Sequence, residues 1–522
     1  MRALHKGPRI PVKEARALSL LDILRAHAAR IPDAPCLSFE ADTLTFRTLH
    51  ERSSRVANAL RDSGVRPSDR IAVIARNAPA YYELFFGCAK AAAIMLPINW
   101  RLSPAEVAAI LSDASPTLLL VSHEFQSSLS QMPSGPQVID LTRAYCAWRD
   151  AASPVDPNRP SAPDDATLIL YTSGTTGVPK GATISHDNLS YVERTARESW
   201  GFTATSVNLV AMPLFHIGGI GYGMMALSQG GHTVLLQQPV PAVVIEAIRR
   251  HCVTHAFFVP AVIQMLVDAP GVDEMNLGSL QRIMYGASPI SEMLVKRAIA
   301  VFGCAFNHAY GMTETAGTVI TLAPQDHDPG GPLVHRLRSC GLPLPWVELA
   351  LIDPATGEAV PTGEVGEIRI RSRMNMLGYW RKPAETAAAI TSDGWLCTGD
   401  AAFQDADGYI YIHDRYKDMI VSGGENIYPT EIENVLSDHP GVAEVAVIGV
   451  PHPRWGETPK AFVVASNAMP PSEAELIAFT RSRLAHYKCP TSVAFVATLP
   501  RNASGKVLKR AMRDENWLRS QG

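Results

Sequence analysis

The chain has 522 residues, of which 47% are hydrophobic and 19% charged, with a formal net charge of −3. That length predicts roughly three to four structural units and a large buried core. Basic and acidic residues are interspersed and no apolar run approaches the roughly 18 residues of a membrane span. This excludes the footprint of a nucleic-acid binder or an integral membrane protein and leaves small-molecule partners in the cytoplasm as the expectation.

In chain order, the amino terminus has early basic residues but no uninterrupted apolar stretch after them, so no secretory signal is expected. Leu49 to Asp62 places its apolar residues at helical spacing, and Arg70 to Ile74 reads as a buried strand. The longest apolar candidate, Ala91 to Leu96, stops at Pro97. This alternation predicts a mainly parallel sheet covered by helices. The proline- and aspartate-rich stretch Ser153 to Asp165 reads as a boundary between subdomains.

Directly after the apolar run Ala166 to Leu170 comes YTSGTTGVPKG, Tyr171 to Gly181. Its glycines let backbone approach a ligand, while hydroxyls and Lys180 can donate to phosphate oxygens. It is not a Walker A loop, because Pro179 precedes Lys180 and Gly181 stands where a magnesium-binding hydroxyl belongs. Strand-like runs resume at Thr233 to Leu236, Ala256 to Val259 and Arg282 to Tyr285.

After Cys340 the character turns to short β-type runs, Val347 to Ile352, Glu367 to Arg371 and Tyr409 to Ile412, separated by Asp-Gly turns. The last hundred residues carry a helix pattern near Pro429 to Leu436 and strands at Val445 to Ile448, Ala461 to Val464 and Val493 to Val496. They read as a separate small α+β domain. The eight cysteines lie far apart without metal-ligand spacing and are expected to be reduced, buried thiols. The glycosylation sequons at Asn188 and Asn502 are read as chance.

Six further segments accompany the glycine-rich loop: PLFHIGG (213–219), YGAS (285–288), AYGMTE (309–314), GWLCTGD (394–400), DRYKDMIVSGGENIYP (414–429) and PRNASGK (500–506). In this order and spacing the chain resembles the adenylate-forming superfamily of acyl-CoA synthetases, adenylation domains and firefly luciferases. Its overall character is closest to bacterial fatty-acid-type acyl-CoA ligases. The resemblance implies an α/β fold: a large N-terminal domain, 1–414, made of two α/β subdomains plus a small β-barrel-like subdomain. A mobile α+β C-terminal domain, 415–522, follows, with a hinge at Lys417.

The implied reaction joins a carboxylic acid to AMP and then transfers the acyl group to CoA, using ATP and Mg²⁺. By resemblance, Thr172, Ser173, Gly174, Thr175, Thr176, Gly177 and Lys180 wrap the β- and γ-phosphates. Thr313 contacts the α-phosphate and Glu314 helps hold Mg²⁺. Gly286, Ala287, Ser288, Tyr310 and Gly311 line the nucleotide pocket, with Tyr310 along the adenine. Asp400 and Arg415 meet the ribose.

Lys506 bridges the acyl carboxylate and the α-phosphate, and His216 gates an acyl pocket lined by Ile220, Val259, Gly286, Gly311 and Met312. Ser422, Gly423, Gly424 and Glu425 would face the pantetheine arm of CoA. Without a family frame, Asp400 and Arg415 read as turn and surface residues, Glu314 as part of a capped helix start and His216 as a satisfied core histidine. The lining favours a hydrophobic acid, whether aliphatic, aromatic or alicyclic.

Three alternatives stay open: loading of a carrier protein or amine, a luciferase-type oxygenase, and a non-catalytic nucleotide binder. With only a short tail after Lys506 no fused carrier domain is expected, and a homodimer is possible. Asn307-His308-Ala309 and Ala287-Ser288-Pro289 depart from common family forms and imply an unusual adenine contact.

Overall fold

Each residue of the buried run Ile71 to Ile74 faces one of two cores. In a computed structural model that describes residues 18–132, 135–172, 179–272, 277–415, 418–422, 425–466, 470–501 and 507–514, Ile71 and Val73 enter one hydrophobic cluster while Ala72 and Ile74 enter another. Leu118/Leu120 and Leu119/Val121 divide the same way. A strand covered on both faces reads as a continuous apolar run.

These strands belong to a seven-stranded sheet ordered Gly378–Tyr379, Lys180–Ser185, Ala166–Thr172, Ile94–Pro97, Arg70–Ile74, Leu118–Val121 and Gln137–Asp140. The last five are parallel, and the first two are added antiparallel at one edge. The apolar run at 91–96 divides: Ala91 closes the helix Ala80–Ala91, Ala92 turns the chain at φ 55°, and Pro97 ends the next strand. That helix packs on Phe46–Asp62, whose N-terminus Thr45 caps through Thr48 N at 3.2 Å.

A nine-stranded sheet runs Leu342–Pro343, Gly317–Leu322, Ala305–Met312, Arg282–Gly286, His255–Phe258, Val207–Val210, His232–Leu235, Pro35–Phe39 and Asp42–Thr45. One large cluster holds residues from both sheets, Ile71 and Met95 together with Leu209 and Ile283, so the core lies between them.

The sheet membership corrects one expectation. Ser153 to Asp165 does not divide two subdomains, because Ala166–Thr172 after it pairs with Ile94–Pro97 before it. The stretch is a strap over three helices instead. Asp156 meets Arg25 at 2.9 Å and Lys90 at 3.7 Å, and Asn58 donates to the carbonyls of Ser153 and Val155. Conversely, Pro35–Phe39 joins the far sheet, with Leu37 opposite Thr233.

The β-rich segment forms a four-stranded antiparallel sheet, Glu348–Ile352, Gly366–Arg371, Leu396–Gln404 and Ile410–Arg415, with its own apolar cluster. The carboxy-terminal residues build a five-stranded sheet around the long hairpin Val442–His452 and Gly456–Ala465, covered on its two faces by separate clusters. Among the described residues no helix is long and apolar enough to cross a membrane.

All eight thiols are unpaired, but the expectation of burial holds for Cys36, Cys88, Cys340 and Cys489 only: Cys304 and Cys397 are half-buried, and Cys146 and Cys252 are exposed at a helix start and a helix end. Asn188 is buried and donates to the carbonyls of Arg373 and Asn375, which leaves its sequon inaccessible.

Candidate functional site

The strand Ala305–Met312 and the single 3₁₀ turn Thr313–Thr315 after it pass three groups of candidate residues. A bulge between Tyr310 and Gly311 breaks the pairing with Gly317–Leu322. A bulge re-aims side chains, and here Tyr310 packs against the four-stranded sheet's cluster while Met312 packs against the central core.

Glu314 anchors the first group. Its carboxylate is 6% exposed, accepts a hydrogen bond from Tyr379 Oη at 2.9 Å, and has Thr172 Oγ1 at 3.4 Å. Met376 N donates to the Glu314 carbonyl at 2.8 Å, tying the turn to the segment that delivers Tyr379. Thr172 stands opposite Lys180 across the hairpin, and the Lys180 ammonium lies 5.2 Å from the centre of the Tyr379 ring. A buried carboxylate can hold a hard cation, and the hydroxyl and lysine beside it can donate to phosphate oxygens.

Ser173, Gly174, Thr175, Thr176 and Gly177 lie outside the described residues. Gly181, at the far stem, has a packing reason for being glycine: a Cβ there would sit 2.8 Å from Ile169 Cγ2. Tyr379 is the member that sequence reasoning missed. Its only local signal is an aromatic pair after Gly378, with nothing in the spacing to link it to Glu314.

Tyr310 and Asp400 form the second group, joined by a hydrogen bond from Tyr310 Oη to Asp400 Oδ2 of 2.7 Å. Burial and the neighbouring carboxylate raise the Tyr310 pKa, so it stays a donor. Asp400 is 8% exposed and pairs in register with Arg415 at the end of the next strand. The Arg415 side chain falls outside the described residues.

Behind Tyr310, Gly286 pairs with Ala309, and a Cβ on Gly286 would fall 2.0 Å from the Ala309 carbonyl oxygen. Gly311 likewise would meet the Gly317 carbonyl oxygen at 2.0 Å. Both glycines are thus demanded by neighbouring strands, whatever they line. Ala287 holds φ 65°, the left-handed region that glycine takes without cost. The unusual Asn307 is buried and His308 half-buried, and desolvation by the surrounding protein holds the His308 imidazole neutral, with a pKa of about 4.

His216 centres the third group. It precedes the short helix Ile217–Gly223, and its carbonyl accepts from Gly219 N and Ile220 N, both at 2.9 Å. Its Nε2 is buried with no hydrogen-bond partner, so it is not a satisfied core histidine. Burial, helped by Arg101, lowers its pKa to about 4 and keeps it neutral. Ile220 and Val259 belong to the central cluster, against which Met312 packs.

Ser422 pairs with Glu425, while Gly423 and Gly424 between them lie outside the described residues, as do Lys417 and Lys506. Among the described residues no group of three or more metal-ligating side chains gathers, so Glu314 stands as a single carboxylate.

The model of the AMP-binding enzymes matches residues 24–380, and that of the AMP-binding enzyme C-terminal domain matches 431–506. A fatty acid–[acyl-carrier-protein] ligase, ScoC, of Streptomyces coeruleorubidus is 39% identical over 96% of both chains. A feruloyl-CoA synthase of an Amycolatopsis species is 39% identical over 92% of this chain and 96% of its own. The crystal structure of ATP-bound MatB from Rhodopseudomonas palustris superposes with a TM-score of 0.88 at 30% identity, covering 96% of this chain and 99% of its own. The apo crystal structure of the same relative, with equal coverage and identity, gives 0.80.

Proposed function

We propose, from the premise that this chain belongs to the AMP-binding enzyme family and is an AMP-forming acid–thiol ligase, that it joins a hydrophobic carboxylic acid to CoA. The observation that carries this reading is that one strand and turn, 310–314, joins a tyrosine–carboxylate pair, Tyr310 with Asp400, to a buried phosphate-side carboxylate, Glu314, with Met312 packed on the apolar core between them.

In the first half-reaction a carboxylate oxygen of the acid attacks the α-phosphorus of ATP. The new oxygen–phosphorus bond makes acyl-AMP, and pyrophosphate leaves with the electrons of the broken bridge. Two anions must meet, so preplaced donors dominate the catalysis. Thr172 to Gly177 and Lys180 hold the departing phosphates, Thr313 contacts the α-phosphate and Asp400 takes the ribose hydroxyls. Lys506 neutralises the charge between acid and phosphate.

Glu314, with Thr172 and Tyr379 beside it, fits Mg²⁺, which keeps waters and phosphate oxygens and takes one or two carboxylates from protein. Bound there, the ion supplies charge neutralisation on the phosphates.

In the second half-reaction the thiol attacks the acyl carbonyl, loses its proton, and AMP leaves. Ile220 and Val259 are buried apolar residues, Met312 packs against the same core and His216 is neutral, which supports an apolar acid. A carrier-protein thiol is the second reading, favoured by the likeness to ScoC over nearly the whole chain.

The deciding experiment is acid-dependent ATP–pyrophosphate exchange over a panel of aliphatic, aromatic and alicyclic acids, followed by mass detection of thioester with CoA or a pantetheinylated carrier. Absence of exchange with every acid would overturn the reading. Adenylate with product on the carrier alone would replace CoA as acceptor. Lys506→Ala should lower exchange by at least about two orders of magnitude yet still convert supplied acyl-AMP and thiol to thioester.

A further inference from the structure

The carboxy-terminal unit builds both of its hydrophobic clusters from residues 420–512 alone, and the cluster of the four-stranded sheet contains none of them. Among the described residues, the contacts between the two include hydrogen bonds, an ion pair and a ring contact, His413 on Tyr428 at 4.4 Å. Asp414, on the strand Ile410–Arg415, accepts from Thr430 N and Thr430 Oγ1, both at 3.2 Å, at the start of the helix Pro429–Ser437. Lys509 reaches the same carboxylate at 3.3 Å and Glu433 on the other side at 2.9 Å.

The three side chains are largely buried, with exposures of 7% for Asp414 and 15% for both Lys509 and Glu433. Glu433 is fixed in turn by Val447 N at 2.7 Å. Lys509 opens the helix Lys509–Met512, which is pinned by Met512 in the unit's core and by Leu508 N on the Pro500 carbonyl. An isolated bridge from Arg501 to Val507 closes the chain just before it.

We propose that Lys509 is a positioning residue: its ammonium group, held between Asp414 of the four-stranded sheet and Glu433 of the carboxy-terminal unit, fixes the segment beginning directly after Lys506 against the strand that carries Arg415. The lysine does more than add one contact. Asp414 and Glu433 lie on opposite sides of the seam, and without Lys509 two largely buried carboxylates face each other without the cation they share. Removing Lys509 therefore turns a clasp into a repulsion directed at the seam, while each unit keeps its own apolar core.

The test uses the full chain as wild type, Lys509→Met, Lys509→Arg and the double variant Lys509→Met/Asp414→Asn. Trypsin reports the seam through the bonds after Arg415 and Lys417. Lys509→Met should be cut there about tenfold faster or more, with other sites unchanged, since breaking a buried pair is worth at least that factor. Lys509→Arg, which keeps the cation, and the double variant, which removes one repelling charge, should return to within about threefold of wild type.

The activity arm rests on the function proposed above. There Lys509→Met should lower the maximal rate of acid-dependent ATP–pyrophosphate exchange about tenfold with KM for ATP within about twofold, and leave thiolysis of supplied acyl-AMP within about twofold. Wild-type tryptic rates at the two bonds in Lys509→Met would overturn the proposal. Acceleration at all tryptic sites alike would overturn it too, as the mark of a lysine that merely stabilises the fold. Absence of exchange in the wild type would sink the acyl-ligase reading and leave the tryptic arm to decide the clasp.

Discussion

Tyr379 and His216 carry the clearest consequences at the scale of single residues. The Tyr379 hydroxyl donates to Glu314 Oε1 at 2.9 Å, so Tyr379→Phe leaves a buried carboxylate short of a donor. Exchange should fall about tenfold, the factor expected for a charge-assisted hydrogen bond of roughly 1.5–3 kcal/mol that is partly replaced by water. Thiolysis of supplied acyl-AMP should be unaffected, and an equal loss in both half-reactions would count against the phosphate-side role. His216 has a folded pKa of about 4 against an ordinary 6.5. It is neutral from pH 5 to 8, so the pH–rate profiles of wild type and His216→Gln should have the same shape in that window. The sign for stability follows: the unfolded chain takes up a proton below about pH 6.5 and the folded one does not, so this histidine's contribution is complete above 6.5 and is lost as the pH falls toward 4. Urea midpoints of His216→Gln should therefore drop less than wild type between pH 6.5 and 4. Glu314 and Asp400 could be singled out in the sequence as candidates because each lies inside a motif with fixed neighbours. Tyr379 was not, because its partner lies 65 positions away and the two are brought together by tertiary contacts, the antiparallel strand pair at 378–379 and 182–183 and the bond from Met376 N to the Glu314 carbonyl. Nothing local in the sequence links Asp414, Glu433 and Lys509 either, because burial of a charge is a property of what packs over it.

Elements were read well where their signal is local and poorly where it is not. The helix over 49–62 and the strand at 70–74 follow from periodicity, and the structure holds them at Phe46–Asp62 and Arg70–Ile74. The strap at 153–165 has the composition of a linker, but its aspartate and carbonyls serve as partners for Arg25, Lys90 and Asn58, which composition does not register. The helix pair Phe46–Asp62 and Ala80–Ala91 depends on Gly87, where a Cβ would lie 2.3 Å from Val56 Cγ1. Gly87→Ala should cost about 1–3 kcal/mol of stability through overpacking, measured by chemical denaturation. Adding Val56→Ala should recover much of that loss. If the single variant matched wild type, the close approach of these helices would be wrong.

At the scale of the whole molecule, the α/β character, the β-rich segment and the small terminal unit were legible from the order of apolar patterns. Which strand joins which sheet was not. Separate clusters in the four-stranded sheet and the terminal unit mean that the chain should not unfold as one piece. Calorimetry should give a measured enthalpy above the van't Hoff value, and equality of the two would argue for a single cooperative block. The pairing of Leu37 with Thr233 joins parts of the chain that are made far apart in time. The strands Pro35–Phe39 and Asp42–Thr45 complete the edge of a sheet whose next strand is made nearly two hundred residues later. At roughly 5–20 residues per second a ribosome takes about 10–40 s to supply it. For that interval an early hairpin with buried-type side chains waits outside the exit tunnel without its neighbour, so the pace of translation and the chaperones that meet nascent chains govern how much of this protein reaches its native state.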